Sequence, residues 1–458
     1  MALFRSKRGI GRGEVAESRL EAPLFAIFIL GCSLVLLAQH LYFSNNSITA
    51  ALAVSMLVFG ATVTRVDFGV YILIIAMLLS PEIEAGYSVS GERALNIRYD
   101  DLLIIVIFLG VMVKLAFENR LRLWQPSPVN AGIVAYYSVC IFSTLLALER
   151  NLGAWDKRTA FFVMLKMLEF YLIFFLVGHA LRNLREVRRQ LTLFFAVALI
   201  VSAYAAYTVG AEPRVSAPFE KGGTEPNTLG GYLVVVMCVA LGLFTQARDL
   251  RMKTILLVLT GIPFVPFLYT LSRASYVAFV VGLVTLSLVA RKFWILALVV
   301  LVLLFSSLIM PDKVLERVEH TFQEGSGAEI AGMEVDKSTH ERLLVWRKVG
   351  FLLGIGGIYP FFGGGVSWET VLDSQYARVI LETGLVGLAA FLFMQLMILK
   401  TARDPYRSTE DWVGRGVSMG VFAATLALIV HSVGTISFLI VRIMGPYWLL
   451  VAIASLVR

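Results

Sequence analysis

Five arginines interrupt or flank apolar stretches of this chain, where a buried cation is energetically unfavourable. They are Arg214, Arg273, Arg342, Arg347 and Arg378. The planar guanidinium fork binds phosphate and pyrophosphate through paired hydrogen bonds, so several forks around one cavity would stabilise a pyrophosphate leaving group. The alternative is that each side chain extends towards lipid headgroups. For Arg273, between two apolar stretches, and Arg378, one turn inside another, burial of the charge favours the binding interpretation.

Three titratable residues in the same part of the chain are candidates for a general base: Asp373, His340 and Glu382. A carboxylate or an imidazole beside the cavity takes the proton of an attacking hydroxyl group. Asp373 is the first candidate, and His340 and Glu382 are the alternatives. Two structural interpretations stay open. Asp373 suits the N-cap of a helix that begins at Ser374, and Arg378 and Glu382, four residues apart, suit a buried ion pair.

Lys166, Asn227 and Tyr376 complete the candidate binding residues. Lys166 and Glu169 are three residues apart in an apolar stretch, so they either pair with each other or line a cavity. The sequence Glu82-Ile83-Glu84 has the carboxylate pair that a divalent cation binds, as in a metal-dependent polyprenyl-phosphate glycosyltransferase. A single pair of this kind is weakly specific, and we predict neither a metal site nor a cofactor.

The composition is typical of a membrane protein. Hydrophobic residues make up 58% of the 458 residues, charged residues 16%, and the mean hydropathy is +0.79. A soluble domain of this size is far more polar. All three cysteines lie in apolar stretches, which indicates neither a disulfide framework nor a thiolate metal site. The first apolar stretch follows a basic segment and precedes no small-residue cleavage site, so we expect a retained first helix.

Apolar stretches long enough to cross a bilayer recur along the whole chain. We place them at 22–43, 48–64, 66–80, 100–117, 129–148, 160–181, 191–210, 228–247, 253–270, 274–290, 293–310, 374–399, 413–435 and 440–457. The prediction is an all-α polytopic membrane protein with about 12–14 transmembrane helices. These helices form a single transmembrane domain over residues 1–458.

Basic residues in short loops determine the predicted orientation, because such loops stay in the cytoplasm. Four basic loops, at 182–189, 248–253, 291–292 and 400–415, fall on the side of the N-terminus. Both termini are therefore predicted to be cytoplasmic. The net charge of +8 reflects this topology, and we predict no nucleic-acid partner.

Three longer loops fall on the opposite, extracytoplasmic side, at 81–99, 211–227 and 311–373. Long loops in compact proteins are commonly functional. Within the largest, the spacing over 338–356 predicts a helix at the membrane interface that lies over a cavity, with His340, Leu344 and Arg347 on one face. The active site is therefore expected at the extracytoplasmic face.

Several short patterns follow one another in a fixed order. They are Pro226-Asn227-Thr228-Leu229-Gly230-Gly231-Tyr232, Ser272-Arg273, a large outer loop with Arg342 and Trp346, Pro360 followed by glycines, and Asp373-Ser374-Gln375-Tyr376 before Glu382-Thr383-Gly384. In these patterns the chain resembles the superfamily of O-antigen ligases and Wzy-type O-antigen polymerases, over about residues 210–400. The resemblance implies a GT-C-like glycosyltransferase in the bacterial plasma (inner) membrane that is inverting and independent of metals.

The resemblance also implies the substrate and the partners. An undecaprenyl-pyrophosphate-linked oligosaccharide is the donor, the lipid bilayer is the medium, and a chain-length regulator or export machinery is a further partner. Many ligases of the superfamily carry His-Asn shortly before the tyrosine, where this chain has Asp373 and Ser374. This departure favours a polymerase of repeat units. The alternatives are a ligase that transfers the glycan to lipid A core or another acceptor, and a flippase or transporter of lipid-linked sugars.

Overall fold

The computed structural model describes residues 46–80, 98–118, 126–150, 156–181, 183–210, 214–216, 225–297, 329–330, 333–334, 337–368 and 374–457. Asp373, the Glu82–Glu84 pair, the predicted span at 22–43 and most of that at 293–310 lie outside the described residues. So do large parts of the three long loops. His340 and Arg342 are described by their backbone alone.

The helices with described bounds are α1 (Asn46–Thr64), α2 (Val66–Leu79), α3 (Tyr99–Phe117), α4 (Pro128–Glu149), α5 (Lys157–Ala180), α6 (Leu184–Tyr207), α7 (Pro226–Gln246), α8 (Leu250–Tyr269), α9 (Arg273–Ala290), α10 (Lys337–Gly354), α11 (Tyr359–Phe362), α12 (Gln375–Ser408), α13 (Trp412–His431) and α14 (Val441–Leu456). Two short strands, β1 (Glu329–Ile330) and β2 (Met333–Glu334), pair in antiparallel fashion.

Eight of these helices are long and apolar enough to cross a bilayer: α4 to α9, α12 and α13. The chain is thus a helical protein of the multi-pass membrane class. Each predicted span from 48–64 to 274–290, and from 374–399 to 440–457, coincides with a described helix. The helix predicted over 338–356 is present as α10.

The chain forms two compact units. The smaller unit comprises Met1–Ile72 and Leu102–Arg122, and its described helices approach one another closely at Thr62. A Cβ atom added at Gly69 would lie 2.6 Å from Thr62 Oγ1, and one added at Gly110 would lie 3.0 Å from Thr62 Cβ. Small residues at such contacts let helix backbones pack closely in a membrane.

The larger unit comprises Leu73–Asp101 and Leu123–Arg458, with α7 at its centre. Every residue of α7 from Leu229 to Ala240 is buried, as expected of a helix that is apolar on all sides. Among the described helices, α13 makes the most extensive contact with α7. There a Cβ atom at Gly420 would lie 2.5 Å from Val239 Cα, so the small residues of α13 allow the two backbones to touch.

We expect Gly420→Ile to lower the apparent melting temperature by roughly 5 °C or more, because its side chain would have to displace the α7 backbone. Thermal unfolding of the purified protein in detergent measures this. Gly261→Ile, in α8, is the matched control, since a Cβ atom there meets nothing within 4 Å. Equal melting temperatures for the two variants would contradict the close α7–α13 contact.

Helix α12 is interrupted at Gly384, which has φ 68° and ψ −166°. This conformation is accessible to glycine and strained for other residues. A Cβ atom at Gly384 would lie 2.2 Å from the carbonyl carbon of Phe361, so the chain around α11 packs directly against the interruption. The glycine turn after α11 supplies hydrogen-bond donors to the last carbonyls before the interruption, Gly364 N–H to Leu381 and Gly365 N–H to Glu382, both at 2.9 Å.

Helix α10 packs on the first half of α12. Val345, Val349 and Leu352 are buried against an apolar patch of α12 that consists of Ala377, Ile380 and Leu381. Leu344 is 43% exposed, and Arg347 is also exposed. The packed face of α10 therefore bears Val345, Val349 and Leu352, whereas Leu344 and Arg347, two of the residues that we predicted to share one face, are exposed.

Candidate functional site

The candidate residues lie mainly where helix ends meet at one end of the larger unit. The N-termini of α7, α9 and α12 lie close to the C-termini of α8 and α13; for example, Ser272 Oγ donates to Asn227 Oδ1 at 2.7 Å. At the opposite helix ends, Arg188 pairs with Asp411 at 3.0 Å. Loops predicted to be extracytoplasmic and loops predicted to be cytoplasmic thus lie at opposite ends of these helices. The absolute orientation stays a prediction.

Arg378 and Glu382 form a buried ion pair on α12. Arg378 Nε donates to Glu382 Oε1 at 2.9 Å, and the two side chains are 3% and 8% exposed. The backbone N–H of Ser367 donates to the same carboxylate oxygen at 2.8 Å. The hydroxyl group of Ser143 on α4 donates to the main-chain carbonyl of Glu382 at 2.6 Å. The ion-pair interpretation is confirmed. The N–H of Ser367 holds the carboxylate in position, whereas Ser143 on α4 holds the main chain of Glu382.

A small cavity adjoins this pair. Gln375, Arg378 and Glu382 supply its polar wall, and its remaining wall is aromatic or aliphatic, with Tyr136 and Trp448 among its members. The water-accessible volume is about 20 Å³, which holds about one water molecule. Sites for larger ligands are roughly 300 Å³ or more. A sugar would therefore reach Arg378 and Glu382 only after neighbouring segments move.

The Arg378–Glu382 pair and its cavity are the part of the predicted site that the described residues bring together. No family model matches this chain, and no curated protein matches it.

Arg214 holds the turn that precedes Arg273. Its Nε donates to the carbonyl of Thr270 at 3.1 Å and its Nη2 to that of Leu271 at 3.2 Å. These carbonyls follow the end of α8 and lack helical donors. Leu271 has a positive φ of 50°, so the turn needs this support. The described contacts of Arg214 thus position half-buried Arg273, and binding of pyrophosphate by either arginine stays a prediction.

A chain of hydrogen bonds runs behind Arg273. Ser272 Oγ donates to Asn227 Oδ1 at 2.7 Å and accepts from Ser275 Oγ at 2.8 Å. Ser275 Oγ lies 2.9 Å from His431 Nε2, and His431 Nδ1 lies 2.7 Å from Ser437 Oγ. His431 was not among the candidate residues of the sequence analysis. Through Ser275, the buried ring of His431 connects α13 to Ser272, the residue that precedes Arg273. His431 therefore helps to hold Arg273 in position.

Lys166 does not line the cavity. Its ammonium group forms an ion pair with Asp101 and lies 3.4 Å from Glu169 Oε2. The pairing with Glu169 was one of our two interpretations, whereas Asp101 was missed because it lies in another helix. The predicted role of Lys166 in glycan binding gains no support from this position, since two carboxylates hold its charge.

Tyr376 and Arg347, two further candidates for binding, do not line the cavity. Tyr376 donates its hydroxyl hydrogen to the carbonyl of Ile429 at 2.6 Å, which joins α12 to α13. Arg347 is exposed on α10.

The N-cap residue of α12 is Ser374, so our interpretation of Asp373 as the cap is wrong by one position. The helix begins one residue later than predicted, at Gln375.

Arg150 is a cation that sequence reasoning missed. It follows α4, and its guanidinium carbon lies 4.4 Å from the centroid of the Tyr359 ring, in a cation–π contact. Within the described part of the chain, its buried Nη1 has no hydrogen-bond partner. The signal was present, because Arg150 is an arginine at the predicted outer end of a span, like those selected above. It joins the candidates for phosphate binding.

Proposed function

We propose that this chain is a membrane glycosyltransferase that polymerises undecaprenyl-pyrophosphate-linked oligosaccharide repeat units into a surface polysaccharide. The reaction takes place at the outer side of the bacterial plasma membrane. One observation carries the proposal: a buried carboxylate and guanidinium, Glu382 and Arg378, adjoin a cavity in the first half of α12, the helix that follows the largest predicted outer loop. The resemblance of the segment patterns to O-antigen polymerases supports the choice of donor.

The proposed step transfers a glycan between two oxygen atoms. The hydroxyl oxygen of the acceptor sugar attacks the anomeric carbon of the donor and forms the new C–O bond. The bond from that carbon to the pyrophosphate oxygen breaks, and its electron pair leaves with undecaprenyl pyrophosphate. The hydroxyl proton passes to a carboxylate, for which Asp373 and Glu382 are the candidates. Attack opposite the leaving group inverts the anomeric configuration.

The arginines have separate roles in this step. Arg378 holds the carboxylate of Glu382 in a fixed direction through its Nε. Arg273 and Arg150, at the ends of α9 and α4, supply donors for the pyrophosphate as its negative charge grows. A guanidinium fork suits two phosphoryl oxygens at once, which a single ammonium group does not.

A sided liposome assay tests the function. A bacterial strain that lacks this chain would accumulate its lipid-linked oligosaccharide, which can be extracted and incorporated into liposomes with the purified protein. Polymerisation predicts a ladder of longer glycans from donor on one face only, with or without a chelator. A product that forms only when lipid A core is added would identify a ligase. Loss of product with chelator would identify a metal-dependent transferase.

Arg273→Ala is expected to lower polymer formation by roughly ten- to a hundred-fold. One charge-assisted hydrogen bond to a phosphoryl oxygen contributes about 1.5–3 kcal/mol. Arg273→Lys is expected to restore only part of the rate, because a point charge replaces the fork. The initial rate in the liposome assay measures both variants. A fully active lysine variant would contradict pyrophosphate binding by the fork of Arg273.

A transporter of lipid-linked sugars is the second candidate. Interrupted helices and buried charges mark the substrate sites of many transporters, and α12 is interrupted at Gly384. The buried charges of Asp101 and Lys166 also fit this class. Transport predicts that labelled donor changes sides in the same liposomes while no longer glycan forms.

A further inference from the structure

A cluster of buried charges lies away from the cavity, between residues 98–101 and α5. Lys166 pairs with Asp101 and lies near Glu169, and these three side chains are each at most 8% exposed. Beside them Arg98 Nε lies 3.3 Å from Asp100 Oδ1, with side chains 4% and 1% exposed. All five residues belong to the larger unit. The proposed glycosyl transfer uses none of them.

The cluster has an excess of acid. Two cations, Arg98 and Lys166, face three carboxyl groups, Asp100, Asp101 and Glu169, so one negative charge of the described cluster is uncompensated if all five groups are ionised. An uncompensated charge in a buried site is strongly unfavourable. Binding of one positive charge would make the cluster neutral.

The hydrogen bonds show which carboxylate oxygens of the cluster lack a donor. Asp100 Oδ1 accepts from the hydroxyl group of Ser80 at 2.6 Å, and Asp101 Oδ2 accepts from the backbone N–H of Arg98 at 2.8 Å. Within the described residues, by contrast, Asp101 Oδ1 and Glu169 Oε2 receive no hydrogen bond, although both are buried.

The carboxyl groups of Asp101 and Glu169 face the same ammonium group, that of Lys166, and each of them has a buried oxygen without a hydrogen-bond donor in the described part of the chain. Two ionised carboxylates only accept hydrogen bonds, so a bond between them requires a proton on one of them. The ammonium group of Lys166 already lies beside both carboxyl groups, in the position that a metal cation would need.

We propose that Asp101 and Glu169 form a proton-binding site, in which one proton is shared between the two carboxyl groups and neutralises the cluster. Lys166 then balances the charge that remains on this pair, and Arg98 balances Asp100. The proton fixes the position of residues 98–101 against α5. This site is independent of the proposed glycosyl transfer, so its test does not involve that activity.

Thermal unfolding of the purified protein at several pH values is the first test. Raising the pH above neutrality removes the shared proton and leaves a buried negative charge, so the apparent melting temperature of the natural chain is expected to fall. Glu169→Gln replaces the proton by an amide N–H that donates to Asp101. At neutral pH this variant should melt within about 2 °C of the natural chain, and its melting temperature should depend less on pH.

Asp100→Asn is the contrasting variant, because it removes the partner of Arg98 and leaves the shared proton in place. It is expected to melt at a lower temperature than Glu169→Gln. If Glu169→Gln is the less stable of the two, or if it keeps the pH dependence of the natural chain, the proton site is wrong.

Infrared spectroscopy of the natural chain is a second test that does not depend on how a variant folds. A protonated carboxyl group gives a C=O stretching band that carboxylates lack. This band is expected at neutral pH, should disappear at alkaline pH, and should be lost in Glu169→Gln but kept in Glu186→Gln. A natural chain without the band would overturn the proposal. A sodium- or potassium-dependent rise in melting temperature in place of the band would assign the site to a metal cation instead.

Discussion

Glu382→Gln is expected to lower glycan transfer by roughly 10²- to 10⁴-fold, the range for loss of a general base. The amide oxygen can still accept from Arg378 Nε and from the N–H of Ser367, so the side chain keeps its place. It no longer takes the proton of the acceptor hydroxyl group. The initial rate of polymer formation in the liposome assay measures the loss.

The same substitution leaves Arg378 without its counter-charge, so a lower melting temperature is also expected. The double variant Arg378→Gln/Glu382→Gln removes both buried charges and separates the two effects. It should recover stability relative to Glu382→Gln and remain inactive. Asp67→Asn is the control, since it breaks a more exposed ion pair with Arg65 in the smaller unit. A double variant with normal transfer would show that the ion pair is purely structural.

The helices of this protein could be predicted because their causes are local. Long apolar stretches identified the described spans, and the spacing of apolar residues identified α10. The Arg378–Glu382 pair also followed from local geometry, because residues four apart lie on one face of a helix. Local spacing did not identify the packed face of α10, since Leu344 is as apolar as Val345 and only the partner surface on α12 distinguishes them.

The remaining features depend on contacts between distant segments. Nothing near Lys166 in the sequence indicates Asp101, and nothing near Ser275 indicates His431. In the sequence, Gly384 is a single glycine in an apolar stretch, which a helix tolerates. The interruption of α12 could therefore not be predicted. Only the approach of Phe361 and the glycine turn shows why a side chain is excluded there. The polar surroundings of the candidate site could therefore not be derived from spacing alone.

If Asp373 takes or orients the acceptor proton, Asp373→Asn is expected to lower transfer by roughly 10²- to 10⁴-fold while the melting temperature stays the same. Asn keeps the size of the side chain and removes its basicity. Because the N-cap residue of α12 is Ser374, Asp373→Ala should also lose activity without loss of stability. Initial rates and thermal unfolding of both variants measure these effects. An alanine variant that is markedly less stable would mean that Asp373 supports the helix end.

Asp373→Asn and Glu382→Gln together identify the base, because one proton leaves the acceptor in each transfer. If Asp373→Asn keeps near-normal turnover and Glu382→Gln does not, Glu382 takes the proton and Asp373 is dispensable. The reverse result makes Asp373 the base and Glu382 a partner that holds Arg378. If both variants are active, His340→Gln is the next test, and an active His340 variant would mean that the departing pyrophosphate, held by the arginines, accepts the proton itself.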